Sequence, residues 1–464
     1  MIVLAITIGI IVGGWIDNGG ANNEPTTSAT GTDENPNSDN PTLSPISVSM
    51  VDTTAPSFSP LPNTDAAELH VQDFLSSGLL PQYSLDALQV PGSPQELSMR
   101  YLKAEANVTS YTDVRMLQRY VLGILFHSTN GTFWFQSDNW LTNSHECEWF
   151  QSIATTEVDE TVDTYVCPAG GQLQQLVLEN NNLQGEIPRE LSLLKSLRVI
   201  RLDDNQLSGL IPLNLLDLVN LIELSFYDNR LSGGIPSPSS DQWPALRDVN
   251  MAVNQLSGQI PTELGYLTRL EHFVAFDNAL SGTLPDELGA LRELLTFDVG
   301  INNLNGTIPE SYGFWDGIEI LDVSHNSLSG VTSPLSEWPE GHRLLFSSNL
   351  FSGPLHHELE ATNWHSLVIV EVGENQYTGT IPADIGSATN LRVLSVHSNV
   401  GLSGEIPAEL GLLSALEALD IHNTQLVGDI PWELCERASS GNLTIIITCS
   451  EFISCPCECI CHDP

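Results

Sequence analysis

Residues 173–196 read LQQLVLENNNLQGEIPRELSLLKS, and residues 197–220 read LRVIRLDDNQLSGLIPLNLLDLVN. Aligned, both follow one template, LxxLxLxxNxLxGxIPxxLxxLxx. Further copies begin at Leu221, Leu246, Leu270, Leu294, Ile318, about Gly341, Leu367, Leu391 and Leu416, giving about eleven repeats, mostly 24 residues long. A fixed period sustained this long marks a solenoid, because one such unit cannot bury its apolar face alone and must stack on its neighbours.

Each template position has a physical task. The LxxLxL residues form a short strand whose leucines point inward. Parallel strands of successive repeats stack about 4.8 Å apart, so eleven of them span roughly 50 Å. The Asn at position nine turns inward, where a buried amide is tolerated only if its donors and acceptors are used. This ladder comprises Asn181, Asn205, Asn229, Asn254, Asn278, Asn302, Asn326, Asn349, Asn375 and Asn399, and Thr424 takes its place in the last repeat. The Gly of L-x-G permits a positive-φ backbone. The Pro of I-P lacks a donor and fixes the turn that follows. The pattern breaks twice, at GVTSPLSEWPEGH and at RLLFSSNLFSGPL, which reads as a kink or loop, or as a local epitope.

With its recurring L-x-G-x-I-P segment, the stretch from Leu173 to Arg437 resembles the plant-type leucine-rich-repeat family. The likeness extends back to about Arg119 with the Trp- and Cys-containing segment ahead of the repeats. The overall layout is also similar to the large leucine-rich-repeat families of diatoms and related algae. The resemblance implies an α/β-type repeat solenoid, a curved horseshoe with a parallel β-sheet on its concave face and disulfide-bonded caps. It also implies an extracellular recognition module.

Binding on a solenoid usually falls on the sheet face, where the variable positions of LxLxx project. Positions five, seven and eight supply Glu179, Arg201, Asp203, Asp204, Tyr227, Asp228, Asn250, Phe276, Asp277, Asp298, Asp322, His325, Glu371, Glu374, His397, Asp420 and His422. The stripe is acidic with two aromatics, Tyr227 and Phe276, which suits a peptide with basic residues, a protein or a glycan. The alternative is a solvated face with contacts elsewhere. His325, His397 and His422 are candidates to respond to acidification if carboxylates lie beside them.

The flanks differ in composition. Residues 1–16, MIVLAITIGIIVGGWI, carry no charge and would cover roughly 24 Å as a helix, marginal against an approximately 30 Å hydrocarbon core. A membrane anchor lacking its inside tail, a short signal-anchor and an atypical signal peptide all fit. Residues 17–95 are rich in Asn, Thr, Ser, Pro, Asp and Gly, hold no Lys or Arg, and predict a disordered stalk. Residues 96–172 predict a cap made of one amphipathic helix, with Met116, Tyr120, Leu122, Leu125 and Phe126 at helical spacing, followed by a Trp/Cys segment. Trp134, Trp140 and Trp149 read there as packing or as a ligand cage. The solenoid is assigned to 173–437 and a Cys-rich C-terminal cap to 438–464.

The eight cysteines lie only at the ends of the array: Cys147 and Cys167 before it, and Cys435, Cys449, Cys455, Cys457, Cys459 and Cys461 after it. That placement suggests disulfide-locked caps in an oxidising compartment. Cys147 with Cys167 is the natural first pair. The alternating tail cysteines also have metal-thiolate spacing, but four sequons, at Asn107, Asn130, Asn305 and Asn442, favour oxidation over metal.

The chain has 58 acidic against 15 basic residues, a formal charge of -43. Such a surface repels nucleic acid and anionic headgroups. No phosphate loop, kinase signature, zincin helix or nucleophile elbow occurs, so neither an enzyme nor a cofactor is expected. Three functions remain: a membrane-anchored receptor-like ectodomain that signals through a separate kinase partner, a secreted or wall-associated inhibitor of a foreign hydrolase, and a structural adhesion module.

Overall fold

The computed structural model describes residues 64–150, 167, 171–331, 342–355, 366–448, 453–457 and 459–462. The apolar segment 1–16 and most of the first break in the repeat pattern, over 332–341, lie outside them, as do 356–365, Cys449 and the side chain of Cys461. The second break, RLLFSSNLFSGPL at 343–355, is described and keeps both of its strands, Arg343–Leu345 and Leu350–Pro354, in register with the neighbouring repeats.

The repeats build two parallel sheets. The eleven LxxLxL segments, followed by Thr444–Thr448 and Ile460–His462, form a 13-stranded sheet in unbroken sequence order that starts at Gln175–Val177. Register advances by one repeat per strand, so Val199 pairs with Glu223 and Ile200 with Leu224. The eleven L-x-G segments, with Ile453–Ser454 of the tail, form a second, 12-stranded sheet. Their glycines have positive φ throughout, from Gly185 at 114° to Gly428 at 104°. Short 3-10 helices follow the prolines, as in Arg189–Leu193 after Pro188. Leu176, Ile200, Leu202, Leu224 and Phe226 are fully buried between the sheets. Each such side chain contributes about 1.5–3 kcal/mol.

The asparagine ladder is fully bonded. Asn205 Nδ2 donates to the carbonyls of Leu178, Leu202 and Asp203, and its Oδ1 accepts from the Asn181 and Leu183 amides. Asn302 repeats this between Ala275 and Leu280. Thr424 makes only the bonds to Ile421 O and the Leu426 amide.

The ends extend further than the sequence predicts. Helices α1 (Thr64–Ser76), α2 (Gln82–Ala87) and α3 (Pro94–Ala104) start inside the segment expected to be a stalk. Val71 and Phe74 of α1 are fully buried, which supplies apolar burial that the averaged composition conceals. At α3, Ser93 caps the N-terminus by accepting from the Glu96 amide. Thr112 caps α4 (Asp113–Ser128) in the same way. Helices α3 and α4 pack so closely that a Cβ on Gly123 would lie 2.2 Å from Ser98 Oγ.

The cap is held by Arg119, which is fully buried. Its guanidinium reaches Glu105 Oε1 at 2.8 Å, Glu146 Oε2 at 3.0 Å and the Thr142 carbonyl at 2.6 Å. Trp134, Trp140 and Trp149 are buried against one another, so they pack the cap and offer no open cage. The cap joins the first repeat through Gln118, which accepts from the Leu173 amide, and through Asn181, which accepts from Gln136.

At the other end, helix α5 (Trp432–Ser439) is followed by strands Thr444–Thr448 and Ile460–His462, which extend the long sheet beyond Arg437. Cys147 is bonded to Cys167, Cys435 to Cys457, and Cys455 to Cys459. All four sequon asparagines, Asn107, Asn130, Asn305 and Asn442, are exposed.

Candidate functional site on the long sheet

A strand alternates its faces, so repeat positions three, five and seven share one face. In register these positions become three parallel columns crossing the long sheet. Position five carries Arg201, Asn250, Asp298, Asp322, Glu371 and Asp420, all on strands. Position seven, just past each strand, carries Asp203, Tyr227, Phe276, His397 and His422, all partly buried.

Position eight behaves differently. Asp204, Asp228, Asp277, His325, Glu374 and the other residues there have φ between 45° and 58°. Asp228 and His325 are therefore exposed residues of a left-handed turn at the end of the strand, not part of the sheet face. Placing them on that face is corrected by this backbone conformation.

The sequence reading also omitted position three, where Glu223, Asp248 and His272 lie on the same face. Period-two alternation would have identified them. Glu223 forms a two-point ion pair with Arg201, with Nη2 to Oε2 at 2.9 Å. Arg201 is thus committed to its neighbouring strand.

The carboxyls at the middle of the face have no such partner among the described residues. Asp298 and Asp322 sit directly opposite in adjacent strands. Asp298 is 5% exposed. Its Oδ1 accepts only the Gly300 amide, at 3.1 Å. Asp322 Oδ1 accepts from the Ser324 amide at 2.8 Å and hydroxyl at 2.6 Å. Burial, and then the charge of Asp322, pushes the Asp298 carboxyl well up, and burial pushes Asp322 up too. Glu371 is pushed up to about 7 by burial, and then by Asp322 and Asp420. Asp203 and Asp248 are each also raised to about 7, chiefly by burial. Ser225 Oγ and the Tyr227 amide donate to Asp203. Beside the aspartate pair, position seven is lined by Gly300, Ser324, Ser347 and Gly373, flanked by Phe276 on one side and His397 on the other.

At the C-terminal end of the face, His397 and His422 stack with ring centroids 4.7 Å apart and planes at 6°. Burial holds His397 below the usual imidazole range. His422 Nδ1 lies 2.6 Å from Asp420 Oδ1.

This is a leucine-rich-repeat solenoid of the plant type, a horseshoe whose long parallel sheet lines the concave face. The leucine-rich-repeat family model matches residues 172–194 and 196–218. No curated protein matches the chain. Among solved structures, it is similar to the ectodomain of the plant membrane receptor kinase GASSHO1/SCHENGEN3 from Arabidopsis thaliana, in complex with CASPARIAN STRIP INTEGRITY FACTOR 2. That likeness has 35% identity and a TM-score of 0.55, over 60% of this chain and 33% of that one. A TDR receptor is similar at 31% identity and TM-score 0.53, over 61% of this chain and 52% of that one. The plant peptide hormone receptor RGFR1, in complex with RGF2, is similar at 29% identity and TM-score 0.53, over 62% and 47%. The chain thus matches between a third and about half of the length of each.

Proposed function

We propose that this chain is a non-catalytic, extracellular recognition module that binds a peptide or protein ligand bearing a basic group on its concave face. The observation that carries this is the Asp298–Asp322–Glu371 group: carboxyls drawn out of water without an ion-pair partner among the described residues. Desolvation disfavours their charged form, and a guanidinium or ammonium placed beside them restores it. A cationic ligand group therefore gains more here than at the solvated acids of the rim. The trough of Gly300, Ser324, Ser347 and Gly373 leaves room for an extended backbone, and Phe276 offers an apolar wall.

Peptide ligands held by the ectodomain relatives support the same reading. In it, residues 1–16 anchor the chain in a membrane, the sequons carry glycans, and a separate kinase partner transmits the signal. Among the described residues no helix is long and apolar enough to cross a membrane, and residues 1–16 lie outside them.

The test is fluorescence titration of the oxidised protein with three randomised peptide pools of positive, neutral and negative net charge. The positive pool binds, and Asp298→Asn with Asp322→Asn weakens it by about tenfold or more, as expected for an anchoring charge contact. Equal binding of the three pools, or an unaffected double variant, overturns the reading.

A further inference from the structure

We infer that His397, Asp420 and His422 form a binding site for a borderline divalent transition metal such as Zn2+, at the C-terminal end of the concave face. Ligand atoms of all three residues lie within 4.8 Å of one another. The chain distance between the histidines, 25 residues, is one repeat, and the parallel register sets both at position seven of adjacent strands. Asp420 stands at position five of the same strand as His422.

Two imidazoles and one carboxylate suit zinc and its neighbours, whereas calcium and magnesium prefer all-oxygen sets. A tetrahedral zinc at about 2.0–2.1 Å from each donor holds the donors about 3.4 Å apart. Rotation of the two stacked rings about their side-chain torsions brings the three donors, now within 4.8 Å of one another, to that spacing.

Three further features belong to a built site. First, Asp420 Oδ1 accepts from the His422 amide at 3.2 Å and lies 2.6 Å from Nδ1. The carboxylate oxygen and Nδ1 therefore already face each other as neighbouring donors, held by the turn that joins the two residues. Second, His397 lies over a glycine: a Cβ on Gly373 would come within 2.5 Å of its ring. Gly373 has an ordinary negative φ, so its lack of a side chain serves the ring above it. Third, the ring of His462, two strands further on and paired with Thr448, stacks on His422 at 4.7 Å. That histidine covers the outer face of the His422 ring.

The other cluster of candidate ligands among the described residues, Cys435, Cys455 and Cys457, is occupied by disulfides. Three protein donors leave zinc an open coordination position facing the concave groove. This inference does not depend on the identity of the ligand proposed above.

The test is calorimetric titration of Zn2+ into the oxidised, chelator-stripped full chain in millimolar calcium, which saturates the diffuse acidic surface. About one zinc binds. His397→Ala and His422→Ala each weaken it by more than about tenfold, and Asp420→Asn by about tenfold or more. Gly373→Ala, which removes no donor, also weakens it, and His272→Ala on the same sheet leaves it unchanged. Both histidine rings are partly exposed, so thermal melts of the variants should match the parent. Should an alanine variant not fold, His422→Asn and the zinc-induced shift of the histidine imidazole resonances in the unaltered protein give the same answer. Zinc binding that is absent, or that survives the His397/His422 double variant unchanged, overturns the site.

Discussion

Asp298 and Asp322 occupy the same repeat position on adjacent parallel strands, directly in register, with Asp298 almost fully buried and no ion pair to either among the described residues. Each raises the cost of ionising the other. The pair is therefore a local instability of the free protein and a source of attraction for a cation.

The first consequence concerns stability. Where burial raises a carboxyl's pKa, the folded chain still binds protons at pH values where the unfolded chain, with carboxyls near 4, has lost them. The contribution of Asp203, Asp248 and Glu371 is therefore fully present below about pH 4 and is lost as pH rises from there through about 7, and the raised Asp298 and Asp322 act in the same direction. Asp298→Asn should stabilise the protein near pH 8 and do little near pH 4. Urea melts at the two pH values check this.

In the cap, Arg119 neutralises Glu105 and Glu146 out of contact with water. Replacing it with Met leaves the buried Glu105 without a cation and Glu146 with Arg115 alone, which should cost about 3–5 kcal/mol. Because repeat arrays need not unfold in one step, hydrogen exchange should show α3 and α4 opening first, ahead of the central repeats.

Position eight holds two β-branched residues in the left-handed region, Val253 at 54° and Ile301 at 51°. Such residues pay about 1–2 kcal/mol for that conformation. Ile301→Asn or Ile301→Gly should therefore raise the melting temperature, and a decrease would contradict the turn geometry.

Within the ladder, Asn302→Ala removes the acceptor of the Leu280 amide and the donor to the Ala275, Val299 and Gly300 carbonyls. Leaving these buried groups unpaired should cost about 2–3 kcal/mol, against well under 1 kcal/mol for an exposed polar change such as Asn303→Ala. Chemical denaturation of the two variants distinguishes them.

Much of this architecture was legible in the sequence because each repeat states the same constraints again. The leucines, the Asn ladder, the L-x-G glycines and the departure at Thr424 follow from position alone. Position eight was not legible, since residues as different as Asp, Val, His and Glu occupy it and only the backbone shows the left-handed turn. Glu223, Asp248 and His272 were available to a strict reading of strand alternation. Helix α1 was hidden by a composition averaged over residues 17–95, although Val71 and Phe74 are three apart. His397, Asp420 and His422 were each recognised, but only the register places them together. The pairing of Asp298 with Asp322 likewise required the 24-residue offset to be read as adjacency in space.

The central claim is that the concave carboxyls await a cation, and calorimetry of a bound basic peptide in buffers of different ionisation enthalpy tests it most directly. At about pH 7 a cation beside Asp298, Asp322 and Glu371 drives their ionisation, so binding should release protons and the observed heat should change systematically with the buffer. The release should vanish in the Asp298→Asn/Asp322→Asn/Glu371→Gln variant. A binding heat independent of the buffer, with affinity unchanged in that variant, would contradict the account.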